Sequence, residues 1–234
     1  MKIPFRIIVL FLILSFAKSS HSNNPVFYSI NDTSKCIKTV QWADIEICLP
    51  RFDGMTECSS HPTIYAKDSR LGYKENSTFA IYLNNDTYKQ IDSLEKINFD
   101  DYVKIYATES LKNLNTDQSD LDKLADAFKN RIFQEKWDEI KKRIEEKHDN
   151  LSVGKPVIID NYSLDNNIRT FILLIKFKVP AHEEFISIMT SNIILVKKKI
   201  ISVTYCVNYK GEPSVIDAKA KNNYMALRLL EMNK

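Results

Sequence analysis

Apolar and polar residues alternate with a two-residue period over most of the last third of the chain. Pro156 to Tyr162, Ile168 to Val179, Phe185 to Val196 and Ile200 to Asn208 each predict a strand. Their connections, Asp165-Asn166-Asn167, Pro180 to Glu184 and Lys197-Lys198-Lys199, are short. Short connections predict an antiparallel meander. In the second strand Phe171, Leu173, Ile175, Phe177 and Val179 fill one face. Ile168, Ile172 and Leu174 occupy the other face, before Lys176 and Lys178. A strand that is apolar on both sides must be covered on both. In the last strand Ile201, Val203, Tyr205 and Val207 lie opposite Ser202, Thr204 and Asn208, the pattern expected nearer a sheet edge.

The period changes to three and four residues in the middle of the chain. Leu121, Leu124, Ala125, Phe128, Ile132, Trp137, Ile140 and Ile144 form one apolar stripe, which predicts a single long helix with a charged, solvated outer face. Asn98 is placed to cap an earlier helix from Phe99 to about Asn113. Upstream, Cys36 to Trp42 and Ile45 to Leu49 read as two short strands, the second closed by Pro50. Arg51 to Pro62 reads as a loop, and Thr63 to Ala66 and Thr78 to Leu83 as two more strands. After Gly211, Pro213 suits the first turn of a final helix with Ile216, Ala220, Leu227 and Leu230 on its apolar stripe. The sum predicts an α+β fold: an antiparallel β-sheet with helices packed on both faces. No internal repeat or linker interrupts residues 23–234, which read as a single α+β domain.

Residues 1–22 stand apart. Lys2 and Arg6 precede an apolar run from Ile7 to Ala17, broken only by Ser15, and small residues follow. This is the layout of a secretory signal peptide. At 11 residues the run falls short of the about 20 needed to span a bilayer, although an uncleaved anchor is the competing reading. The expected location is secreted or periplasmic, with no stable membrane span after cleavage. The whole chain carries a net charge of +3. Removing Lys2, Arg6 and Lys18 brings it to zero, which argues against nucleic acid as a partner.

An exported chain with an even cysteine count favours disulfides. Cys36 and Cys48 flank the first predicted hairpin and suit each other, which leaves Cys58 for Cys206. The competing reading of Cys58, with His61 at C-x2-H spacing, is a metal site, but zinc sites usually need two such pairs and the second is missing. Sequons for N-glycosylation occur at Asn31, Asn76, Asn85, Asn150 and Asn161. They bear on the protein only in a eukaryotic secretory path.

The order of elements resembles the Mog1/PsbP-like fold group. Ile45-Glu46-Ile47-Cys48-Leu49-Pro50 looks like its early strand ending in Pro, and Phe79-Ala80-Ile81-Tyr82-Leu83 like its next sheet strand. Val203-Thr204-Tyr205-Cys206-Val207, with the helix from Pro213 to Met232, looks like its closing pair. The resemblance implies a non-catalytic assembly, binding or envelope protein and transfers no functional residue. A cystatin/NTF2-like fold is the alternative, since a long helix followed by a four-strand meander also fits residues 119 to 208.

Chemistry is scarce. Only Gly54, Gly72, Gly154 and Gly211 are present, too dispersed for a phosphate-cradling loop or a nucleophile elbow. The histidines His21, His61, His148 and His182 match no catalytic or HExxH spacing. Adjacent acids such as Asp100-Asp101 and Glu145-Glu146 fall on predicted helices, where neighbours point about 100° apart. Tyr102, Tyr106, Tyr205 and Tyr209 lie near predicted faces, either in the core or on a pocket rim. No catalytic residue, metal or cofactor is assigned. The expected function is an exported non-catalytic protein that binds a partner protein or stabilises an assembly. The alternative is a small-molecule or lipid carrier with a pocket between sheet and helix. A hydrolase with dispersed acids is the third reading.

Overall fold

The computed structural model describes residues 36–71, 75–92, 100–132, 137–147, 152–178 and 184–234. The predicted signal peptide, Asn31, Asn150, His21, His148, His182 and the predicted cap Asn98 lie outside them. In chain order the strands are β1 (Lys38–Trp42), β2 (Ile45–Leu49), β3 (Met55–Glu57), β4 (Asn76–Asn84), β5 (Tyr102–Thr108), β6 (Ser152–Val153), β7 (Val157–Asp165), β8 (Ile168–Lys178), β9 (Phe185–Val196) and β10 (Lys199–Asn208). The helices are α1 (Pro62–Leu71), α2 (Asn85–Lys89), α3 (Gln118–Ala127), α4 (Trp137–Lys147) and α5 (Glu212–Glu231).

The fold is α+β. One antiparallel sheet runs β3-β4-β5-β10-β9-β8-β6, and β7 also pairs with β8. The meander β7-β8-β9-β10 stands as its alternation predicts. A two-residue turn joins β9 to β10, with Val196 opposite Lys199. Lys197 and Lys198 both have positive φ, 46° and 66°, as the tight turns that match strand twist require. Strands β1 and β2 form their own hairpin.

Alternation sends each strand's residues to two separate cores. On one face Phe79, Val103, Ile105, Ile172, Ile194 and Val203 pack with Met225 and Leu229 of α5 and with Trp42, Ile47 and Leu49 of the hairpin. On the other face Ile81, Leu83, Phe171, Leu173 and Ile193 pack with Ile64 of α1, Leu121 and Leu124 of α3, Phe128 and Trp137. Each fully buried aliphatic side chain contributes about 1.5–3 kcal/mol. The hairpin is fastened by polar bonds as well. The Asn233 side chain accepts from Cys48 N at 2.7 Å and donates to Cys48 O at 2.8 Å. Lys199, only 3 % exposed, donates to Asn115 Oδ1 at 3.1 Å and pairs with Asp44 at 3.1 Å.

Five expectations change. Residues 63–66 are helical, because Pro62 opens α1 where a missing N–H costs nothing. The expected helix from Phe99 to Asn113 is instead the central strand β5 and a 3₁₀ turn, Glu109–Leu111. Tyr102 and Tyr106 face the α3 core side while Val103 and Ile105 face the other, so burial on both sides erases the alternation. The regular α-helical stripe is interrupted: α3, opened by an Asp117/Asp120 capping box, runs into a π-helical turn at Phe128–Ile132 ahead of α4. On α5 the buried face is Ala218, Asn222, Met225, Ala226 and Leu229, while Ile216 is 69 % exposed. The loop expected from Arg51 to Pro62 also holds the short strand β3.

Candidate functional site

Strand β7 forms an outer edge of the sheet. Among the described residues it pairs with β8 alone. Its register against β8 slips between Ile158 and Asp160 and again between Ser163 and Asp165. Such bulges twist an edge away from new pairings, and an edge charge has the same effect. Asp160 supplies that charge and is held by Lys219 of α5 at 2.7 Å. This contact holds the Lys219 ammonium above its ordinary pKa, through the hydrogen bond to Asp160. The Lys219 ammonium also sits 4.3 Å over the Tyr162 ring, and the Tyr162 hydroxyl donates to Asn223 Oδ1 at 2.6 Å.

Apolar side chains are nevertheless exposed at the start of β7. Val157 is 58 % exposed and Ile159 41 %. Tyr162 meets Asn223 and Asp160 meets Lys219, so strand and helix run side by side in the same direction. Continued toward their starts, this alignment leads to Val157 on the strand and to the exposed Ile216 on the helix. The result is an apolar corner beside an edge whose outer backbone groups face away from the sheet. Such an edge offers hydrogen bonds to an incoming extended segment, and its apolar side chains offer burial.

The sequence-predicted residues are distributed elsewhere. Cys36 and Cys48 form a disulfide across the β1–β2 hairpin. The expected Cys58–Cys206 pair is absent, and both thiols are free and buried. Cys58 follows β3, and β4 and β5 lie between it and β10. Three strand spacings put the two cysteines roughly 14 Å apart, about twice the reach of a disulfide. Burial pushes both thiols up to about 12, so they stay protonated and unreactive. The Cys58 thiol donates to Ile81 O at 3.3 Å, and His61 Nε2 lies 3.2 Å from Asp92. Among the described residues no three His, Cys, Asp or Glu side chains converge as metal ligands.

Of the sequons, Asn85 and Asn161 are exposed, while Asn76 is half-buried and accepts from Thr108 Oγ1 at 3.1 Å. The acids do not converge. Asp100 is buried ahead of β5 rather than on a helix, and its Oδ1 accepts from Asn208 N at 2.7 Å. Burial raises its pKa, partly offset by that bond. Glu145 accepts from Val153 N at 3.2 Å and Glu146 pairs with Lys142. A recess of about 520 Å³ lies along α4, lined by Asp138, Lys141, Lys142, Glu145 and Glu146. Its lining is one charged helix face, unlike the apolar concavity of a small-molecule site. Tyr102, Tyr106 and Tyr205 are core residues and Tyr209 is half-buried. Sequence reasoning missed the β7 corner. Its only signal was the uninterrupted Val157-Ile158-Ile159, which alternation should have broken on an edge strand.

These features define a protein of the α+β class with one disulfide among the described residues. No helix among them is long and apolar enough to cross a membrane. No protein-family model matches the sequence, and no curated protein matches it. A solved structure of a Mog1 mutant is similar at a TM-score of 0.31 and 10 % sequence identity, over 83 % of this chain and 89 % of the other. That is a weak resemblance of fold.

Proposed function

We propose that the protein is an exported, non-catalytic binding protein, and that the start of β7 is where a partner protein docks by adding an extended strand. The exposure of Val157 and Ile159 on a sheet edge carries this reading. The second bulge and the Asp160–Lys219 pair guard the later part of that edge, while Val157 and Ile159 carry only the first bulge and no charge. The Cys36–Cys48 disulfide supports an oxidising compartment. Partner identity is tested by native mass spectrometry of the mature protein purified from its own secretory compartment, wild type against Ile159→Lys. A lysine there leaves the core intact and places a charge in the docking strand. The reading expects one stoichiometric partner on the wild type, weakened at least tenfold by the substitution at unchanged circular dichroism. A bare monomer, or equal binding by both forms, overturns it.

A further inference from the structure

Helix α5 is apolar on its outward face as well as on its buried one. Ile216 is 69 % exposed, Ala220 is exposed and Leu227 is half-buried. Their spacing sets all three within about 40° of one another on one side of the helix. Ala218, Asn222, Met225 and Leu229 lie buried on the other side. Between Ile216 and Leu227 the outward face is flanked by Asn223 and Tyr224 and carries no charge. A helix that is apolar on both sides calls for cover on both.

The sequence holds a segment of matching chemistry, and the fold shows where it is tethered. Pro25-Val26-Phe27-Tyr28-Ser29-Ile30 precedes Cys36. Cys36 is bonded to Cys48, and the Asn233 side chain, just past the end of α5, holds both backbone groups of Cys48. This end of the hairpin therefore sits beside the last turn of α5. Phe52, which follows the hairpin, makes a ring contact with Tyr224 of α5 at 6.4 Å. From that anchor residues 26–35 reach up to about 33 Å when extended, and Ile216 lies about 25 Å back along the helix.

We propose that residues 25–30 are the cover of the Ile216–Ala220–Leu227 stripe, an intramolecular strap tethered at the Cys36–Cys48 disulfide. Val26 to Ile30 spans about 13 Å as an extended chain, and the stripe is about 16 Å long. A short tether gives its segment an effective concentration in the millimolar range, which favours it over a second copy at micromolar concentration. The strap leaves the backbone edge of β7 open. It shares only Ile216 with the apolar corner there and stands independently of the docking reading.

The test is thiol accessibility in the full mature protein. Ala220→Cys puts a reporter in the stripe at an exposed position, while Cys58 and Cys206 are buried and protonated and stay silent. Its rate of alkylation by iodoacetamide is measured with the natural segment and with Val26→Ser, Phe27→Ser and Ile30→Ser combined. Circular dichroism and thermal melts establish that both chains fold. Alkylation is expected to be about tenfold faster once the three apolar residues are replaced, at every protein concentration, as release of a covering segment requires. Equal rates in the two chains overturn the proposal. So does protection that disappears on dilution, which would make a second copy the cover.

Discussion

The two faces of one sheet bury polar groups in opposite ways. Under α5, Asn192 and Asn222 exchange reciprocal amide bonds, Asn192 Nδ2 to Asn222 Oδ1 at 2.7 Å and the return bond at 3.1 Å. Thr190 donates to Asn222 Oδ1 at 2.6 Å and Thr170 to Asn192 Oδ1 at 2.8 Å. Every member is fully buried and answered. Under α3, one strand position away, Ser191 is equally buried and unanswered. The covers differ too. One side has a 20-residue helix and a disulfide-fastened hairpin, and the other has shorter helices with a π-helical turn between α3 and α4. A polar core is tolerated where the covering helix returns a matching amide. Where it does not, the Ser191 hydroxyl is left unanswered.

The sharpest way to break this contrast is Asn222→Leu. It strips the acceptor from Thr190 and from Asn192 while adding apolar volume. Thr190 then falls back on a long contact to Tyr205 O at 3.4 Å, and Asn192 Nδ2 keeps only Val203 O at 3.1 Å. The loss of three buried hydrogen bonds costs about 3 kcal/mol. For a chain of this size that lowers Tm by about 6–12 °C in a calorimetric scan. A drop below about 2 °C would erase the distinction between the faces. Next in size is the hairpin cover. Replacing both disulfide cysteines, Cys36→Ser with Cys48→Ala, frees a loop closed over a 12-residue separation. The expected loss is about 2–3 kcal/mol in urea unfolding. An unchanged midpoint would mean that Asn233 and the buried Trp42 and Ile47 hold the hairpin without the cross-link.

The same contrast explains what could be read from the residues alone. The meander from β7 to β10 was legible because its strands alternate and their connections are short. The Cys36–Cys48 hairpin was legible because Pro50 and the paired cysteines bracket it. Strand β5 was not, because Tyr102 to Thr108 is buried on both faces and carries no two-residue period. The stripe from Leu121 to Ile144 promised one helix, since side-chain periodicity does not register a π-helical turn. The buried face of α5 was missed because Asn222 and Arg228, both polar, lie within it. The buried hydroxyls under α3 could not be found at all. Ser202 and Thr204 read as the polar face of a strand nearer the sheet edge, whereas β10 lies between β5 and β9 and both residues are buried under the cover from α3 and its neighbours.

Two aspartates give the third prediction, with opposite signs. Burial raises the Asp100 pKa. Its ionised form is therefore penalised in the folded state, and that cost is present above the raised pKa. The cost fades as pH falls to the unfolded value near 4. Asp44 is lowered, chiefly by its hydrogen bond from Lys199. Its contribution is present above the unfolded pKa and is lost as pH falls through the lowered one. Tm measured from pH 3 to 7 should show Asp100→Asn equal to or above wild type near pH 7, converging in acid. Asp44→Asn should fall below wild type near pH 7 and converge in acid from the other side. Curves parallel to wild type would show that neither burial nor the Lys199 contact sets these groups.

The smallest effect is the most discriminating. Ser191→Ala removes a hydroxyl that makes no hydrogen bond in the interior. Nothing is lost on the protein side, and the desolvation cost of that hydroxyl disappears. Replacement of an unpaired buried polar atom by hydrogen is therefore neutral or stabilising, by up to about 1 kcal/mol, or about 2–4 °C in Tm. The matching change across the sheet, Thr190→Val, removes a donor to Asn222 and is destabilising, since the amide oxygen loses one of its two partners. The two substitutions remove one hydroxyl each from the same strand, one position apart, yet should move Tm in opposite directions. If both lower it equally, Ser191 is answered in the folded protein, by ordered water or by a backbone carbonyl, and the asymmetry between the faces disappears.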